Sequence, residues 1–266
     1  MKNFLKSAIL ALALIAPAGV FAGSSATGTP VLPAQDVANF ADRVQRDLAA
    51  RGVQVAIVAR VGRDPAILPE GVNYTHVAFW VYSRITRADG TQGQGYRVYN
   101  LYQTGNDLTR SELVQDSPAE FFANVHALDA GVIIPDPRLQ RKLLSVITSP
   151  TYAGLHNPQY SVLSNPDNRQ FQNCTEHTLD VLMAALYDTG DPQQIKANIA
   201  AHFTPQPIPV NGLQRLFAPV ASAALTTADH DGAVATATFG SLARFTRQFD
   251  LADEVYRITP ERLQRL

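Results

Sequence analysis

The chain of 266 residues has one cysteine. That excludes an internal disulfide framework and any zinc site built from several thiolates. Charged residues make up 17% of the sequence, the formal net charge is −1, and no run of basic residues stands out. The electrostatic footprint of a nucleic-acid binder is therefore missing. Long apolar runs are scarce as well: the one near the start, from Ala8 to about Ala16, is too short to span a bilayer. Hydrophobic residues at 46% exclude wholesale disorder.

What is there begins with an export signal. Residues 1–22, MKNFLKSAILALALIAPAGVFA, place Lys2 and Lys6 before the apolar run, and Val20 and Ala22 at the small-residue positions ahead of Gly23. That pattern predicts cleavage and a periplasmic or secreted protein with no stable membrane span. No cysteine lies near the cut, so no lipid is anchored there. Residues 23–33 read as a Pro-containing linker of small residues. Outside the cytoplasm an unpaired thiol should be buried, intermolecular or functional.

Periodicity then predicts an α+β chain. Residues 35–51 space Val37, Phe40, Ala41, Val44 and Leu48 as an amphipathic helix, with Gly52 as its stop. Residues 53–61 (VQVAIVARV) read as a buried strand. Two further strands, 75–83 and 96–103, are expected to form an antiparallel hairpin through Asp89-Gly90 and the glycine-rich TQGQG. A short helix is expected over 117–125, with Ser117 as N-cap and Pro118 in the first turn. Residues 132–134 read as a strand, 137–148 as a helix and 152–173 as a polar loop. The loop runs into a helix over 174–187. Beyond it the pattern gives a helix over 194–202, a second near Leu213, a strand over 235–239, a helix over 241–249 and a strand over 254–259.

The single thiol, Cys174, opens the helix that follows the polar loop. A helix N-terminus presents unpaired N–H groups and a partial positive charge that favour a thiolate, the nucleophilic form. The same amides could hold an oxyanion. Burial as a small apolar filler is the other reading of this position. Glu176 in the first turn fits plain capping. A cysteine nucleophile needs a base and a group that orients it. His126, His202 and His230 sit in helical or loop contexts that do not mark them. His177 makes a C-x-x-H pair with Cys174, which is short of a zinc site, so no metal or cofactor is expected. His156, in LHNPQY, is a candidate substrate contact. His76 starts an apolar strand, where an ionisable side chain needs a partner. Alternation puts His76, Ala78, Trp80 and Tyr82 on one face, and Tyr96, Val98, Asn100 and Tyr102 on one face of the next strand. The hairpin register leaves both Asn100 and Gln103 open as the orienting residue.

The strand T-H-V-A-F, the strand V-Y-N-L and the helix start N-C-T-E-H-T-L resemble the circularly permuted branch of the NlpC-type papain-like superfamily, in which the histidine strand precedes the cysteine helix. The lecithin retinol acyltransferase group shares that order. LPEG-x-x-YTHV, LHNPQYS and QNCTEH are similar to an uncharacterised family of secreted bacterial proteins. The resemblance covers roughly residues 50–190. It implies a small antiparallel sheet packed on the cysteine helix over residues 34–194, with 195–266 as a C-terminal extension of the same or a separate unit. It also implies Cys174 as nucleophile, His76 as base, Asn100 as orienter, and Tyr160 and Asn173 beside the oxyanion or substrate. Many relatives carry His or an acid as the third residue, and Asn100 gives no charge to an imidazolium. The function implied is an exported thiol hydrolase acting on an amide, with a cell-wall peptide as substrate. An acyl ester hydrolase or acyltransferase, and an inactive binding or scaffold module, are the alternatives.

Overall fold

The computed structural model describes residues 30–86, 89–210 and 223–266. The signal segment and the helix expected near Leu213 lie outside the described residues. The chain folds as α+β around one antiparallel sheet in the order β4-β3-β2-β1-β5-β8-β9. These strands are β1 (Val55–Val61), β2 (His76–Thr86), β3 (Gln92–Gln103), β4 (Ser111–Asp116), β5 (Ala127–Pro135), β8 (Ala252–Ile258) and β9 (Leu263–Arg265). A separate two-stranded pair joins β6 (Gln206–Pro207) to β7 (Ala235–Thr236).

The sheet is covered on both faces, so its central strands are apolar on both. Val55, Ile57, Val77, Phe79 and Ile133 belong to one core. On that face lie α3 (Pro137–Ile147), α5 (Cys174–Tyr187), α6 (Pro192–His202) and α7 (Phe239–Gln248), with the one-turn α4 (Pro150–Gly154). Ala56, Val58, Ala78, Trp80 and Val98 belong to the second core, against α1 (Ala34–Ala50) and the short α2 (Pro118–Phe122). The apolar stripe expected of the first helix is the buried face of α1, and Gly52, at φ +69°, ends it. In α2 the side chain of Ser117 accepts from the Glu120 amide while Glu120 reaches back to the amide of Ser117, a reciprocal cap that sets a helix of little more than one turn.

Three expectations change. The sheet has seven strands rather than being small, because β4, β8 and β9 join it. The TQGQG segment is not turn but the start of β3, and Gly95 stands opposite Ser83. A Cβ there would lie 2.6 Å from the Ile85 side chain, so a glycine suits the strand at that point. Residues 235–239 form only the two-residue β7, because Thr238 caps α7 instead. The C-terminal segment supplies α7 to one core and β8 to the main sheet, where Tyr256 is fully buried.

Candidate active site

Asn173 caps α5: its Oδ1 accepts from the Glu176 amide at 2.9 Å, while its Nδ2 donates to the Val162 carbonyl at 3.0 Å and to Thr236 Oγ1 at 3.2 Å. Its side chain is thus spent on holding the helix start, the preceding loop and β7 together. Cys174 follows as the first helical residue. It is 4% exposed, its Sγ lies 3.8 Å from Thr175 Oγ1, and it packs with Leu101 and Tyr160. The start of a 14-residue helix directs its partial positive charge at this sulfur. Tyr160 reaches its place because its amide donates to the Thr109 carbonyl at 2.7 Å and its strand-like backbone pairs with Gln172.

A cavity of about 490 Å³ opens against this helix start. Cys174 and Thr175 contribute one wall, Tyr160, Val162 and Leu163 a second, and Val72, Tyr74 and Thr75 a third. Ile208, Val210 and Leu225 continue an apolar lining in which, among the described residues, Arg63 is the only charged side chain. His156 is not in this cavity. Its Nε2 lies 3.0 Å from Ser111 Oγ, and it borders a far smaller void beside Glu176, Asp180 and Lys196.

His76, next to Thr75, is 1% exposed. The β2–β3 register sets Phe79 opposite Tyr99 and Trp80 opposite Val98, so Asn100 reaches His76 diagonally while the Tyr102 ring stacks on the imidazole at 4.8 Å. Asn100 Oδ1 lies 2.9 Å from His76 Nε2, and Asn100 Nδ2 donates to Asp116 Oδ2 at 2.8 Å. Tyr102 donates to the same carboxylate oxygen at 2.7 Å. The chain fixes the tautomer: the carboxylate takes the amide N–H, the amide oxygen turns to the ring, and Nε2 must carry the proton. Nδ1 is left with a lone pair, buried and without a hydrogen-bond partner. Gln103 is on the opposite face of β3 and donates to the Leu108 carbonyl, so it is not the partner of His76.

Burial first, and then the charge of Arg60, hold His76 well below the usual imidazole value of 6.5, against the hydrogen bond it donates to Asn100. The ring is neutral. Arg60 stands opposite His76 in the β1–β2 register, donates to the Phe121 carbonyl, and lies over the rings of Phe121 at 5.2 Å and Tyr102 at 5.6 Å. Burial lowers its own pKa, while Tyr102, Asp116 and Cys174 work the other way. The charge of Cys174 is also felt at Tyr102. The thiol belongs to the helix on one face of the sheet, and the histidine cluster lies on the other; Arg60 and Tyr102 link them electrostatically at the strand ends. No hydrogen bond joins thiol to Nδ1.

Arg60, Tyr102 and Asp116 join the site without having been expected there. The sequence marks Arg60 as an arginine inside the apolar run VQVAIVARV, whereas nothing around Asp116 marks β4 as a strand. Glu176 is more than a simple cap. Its carboxylate is buried, with Oε1 2.6 Å from Lys196 Nζ, which in turn lies 2.8 Å from Asp180 Oδ1. Gln172 donates to the other oxygen of Asp180 at 2.7 Å. Burial pushes Glu176 up to about 8, with Lys196 opposing. His177 is buried against Tyr152 with neither ring nitrogen hydrogen-bonded, and burial lowers its pKa to about 3. Among the described residues no group of His, Cys, Asp and Glu is arranged to hold a metal ion, and no helix is long and apolar enough to cross a membrane.

No curated protein and no solved structure matches the chain. Residues 47–246 match a family described as "Uncharacterized protein conserved in bacteria (DUF2145)". The match runs from the end of α1 into α7 and includes Cys174, His76, Asn100, Arg60 and Asp116. The chain belongs to this family of bacterial proteins.

Proposed function

We propose that the protein is an exported thiol hydrolase of the permuted NlpC-type papain-like kind, with Cys174 as nucleophile, His76 as base and Asn100 as its orienter. The observation that carries this reading is the His76–Asn100–Asp116 chain, which leaves a neutral, buried imidazole with a bare Nδ1. In the proposed reaction the His76 ring reaches Cys174 around the strand ends, since the two lie on opposite faces of the sheet, and the thiol proton passes to Nδ1 as Sγ bonds the acyl carbon. The amides of Cys174 and Thr175 at the start of α5 hold the oxyanion, and the imidazolium returns the proton to the leaving group. Water then cleaves the thioester with His76 again as base. Because the resting imidazole is neutral, Arg60 and the helix N-terminus supply the positive charge that favours thiolate. The substrate provides an amide or ester carbonyl, and for an exported bacterial protein a cell-wall peptide amide is one such class.

The test is hydrolysis of p-nitrophenyl acetate by the mature protein. Turnover should fall at least about 100-fold in both Cys174→Ser and His76→Ala. Equal rates in wild type and Cys174→Ser would leave a binding module as the better description.

A further inference from the structure

We propose that the cavity beside Cys174 is a binding site for a single-chain anionic amphiphile, with the apolar chain inside the cavity and the anionic group on Arg63. This rests on the thiol-hydrolase reading in one respect: the chain is taken to be the acyl part of the substrate.

The cavity has the volume of a small-molecule site, and its composition restricts what fits. Leu68, Val72, Val162, Leu163, Ile208 and Leu225 present hydrocarbon, and the polar side chains on the Cys174 side are largely occupied. Asn173 is spent on its cap, and Thr236 Oγ1 donates to the Ser164 carbonyl at 2.9 Å. Thr75 Oγ1 accepts from the Gly62 amide, and Thr238 caps α7. A peptide brings an amide N–H and C=O at every residue, and each would be desolvated here unless paired. A methylene chain brings none and is stabilised by every CH₂ it buries.

Among the described residues of the lining, Arg63 is the exception. It is half-buried and desolvated, and no carboxylate of the described residues forms an ion pair with it. A cation in that position is matched by an anion that the ligand brings. A carboxylate and a phosphate share that chemistry, and the experiment separates them.

The experiment measures displacement of cis-parinaric acid from the Cys174→Ser protein by laurate, dodecyl phosphate and dodecanol, together with the chain-length dependence of p-nitrophenyl ester hydrolysis by wild type. Val72→Trp and Leu68→Trp, both loop positions of partial burial, fill the cavity, and Arg63→Gln removes its charge. The expected result is binding of the anionic probes at least about tenfold tighter than dodecanol. That preference should be lost in Arg63→Gln, and all binding should weaken at least about tenfold in the two tryptophan variants. Better displacement by laurate identifies the anion as a carboxylate, and by dodecyl phosphate as a phosphate. Absence of parinarate binding, binding unchanged in both tryptophan variants, or equal binding of dodecanol overturns the proposal. Cysteine-dependent cleavage of the acetyl ester without chain binding overturns this inference and leaves the thiol reading standing. Chain binding without cysteine-dependent cleavage does the reverse.

Discussion

At the scale of single residues, the site depends on which atom of each polar group is already occupied. Asn100 is held from both sides, so its amide cannot turn its nitrogen toward His76 without facing N–H to N–H at one end and oxygen to carboxylate at the other. Removing either link should loosen the ring. Asn100→Ala and Asp116→Ala are each expected to lower kcat/KM for an activated ester by at least about tenfold. Far-ultraviolet circular dichroism should stay native, and this pair of measurements checks the claim. Histidine 76 and its polar partner were legible because both interrupt apolar strands. Which polar residue it was could not be read, since Asn100 and Gln103 differ only in register, and register depends on where a strand begins. The last four residues of TQGQG lie inside β3, which no alternation rule reveals when two of the four are glycines.

At the scale of elements, α5 is unusual in being buried nearly all round, with Glu176, His177 and Asp180 inside. Its apolar face was legible in Leu179, Leu182 and Met183. Its charged interior was not, because the compensating Lys196 comes from α6 and only the fold brings the two helices together. The burial has a consequence for stability. Below pH 6.5 the unfolded chain binds protons on His76 and His177 that the fold refuses, so stability should rise with pH up to about 6.5. Glu176 acts the other way. Its folded pKa is raised from 4.5 to about 8, so its contribution is full below 4.5 and is lost as pH rises toward 8. The net curve should peak near pH 6.5 and decline on the alkaline side by about 1 kcal/mol per pH unit. Urea unfolding across pH 5 to 9 measures this, and Glu176→Gln should flatten the alkaline limb while leaving the acid limb in place.

At the scale of the whole molecule, the C-terminal part closes the structure around the loop that leads to Cys174. Asp229 accepts from the Asn165 amide at 2.7 Å, Ser161 donates to the Thr226 carbonyl at 2.7 Å, and His230 Nε2 meets the Leu163 carbonyl at 2.7 Å. Together with β8 and α7, these contacts tie residues far apart in sequence to one site. A chain ending at residue 194 would expose the edge of β5 and the face of α5, and it should lose cooperative thermal unfolding. A sharp transition in that truncated chain would contradict this expectation. The sequence carried little sign of such closure: residues 223–238 are short polar turns whose partners lie about 60 to 70 positions upstream. The α+β class and most of the helices and strands, by contrast, followed from periodicity and turn residues alone.

Cys174 and His76 are proposed to work as a pair, and the rate of Cys174 alkylation by iodoacetamide against pH reads that pairing out. The wild-type rate should inflect well below the ordinary thiol value of about 8.5. In His76→Ala the inflection should move up toward that value. An ordinary inflection that is the same in both proteins would contradict the claim.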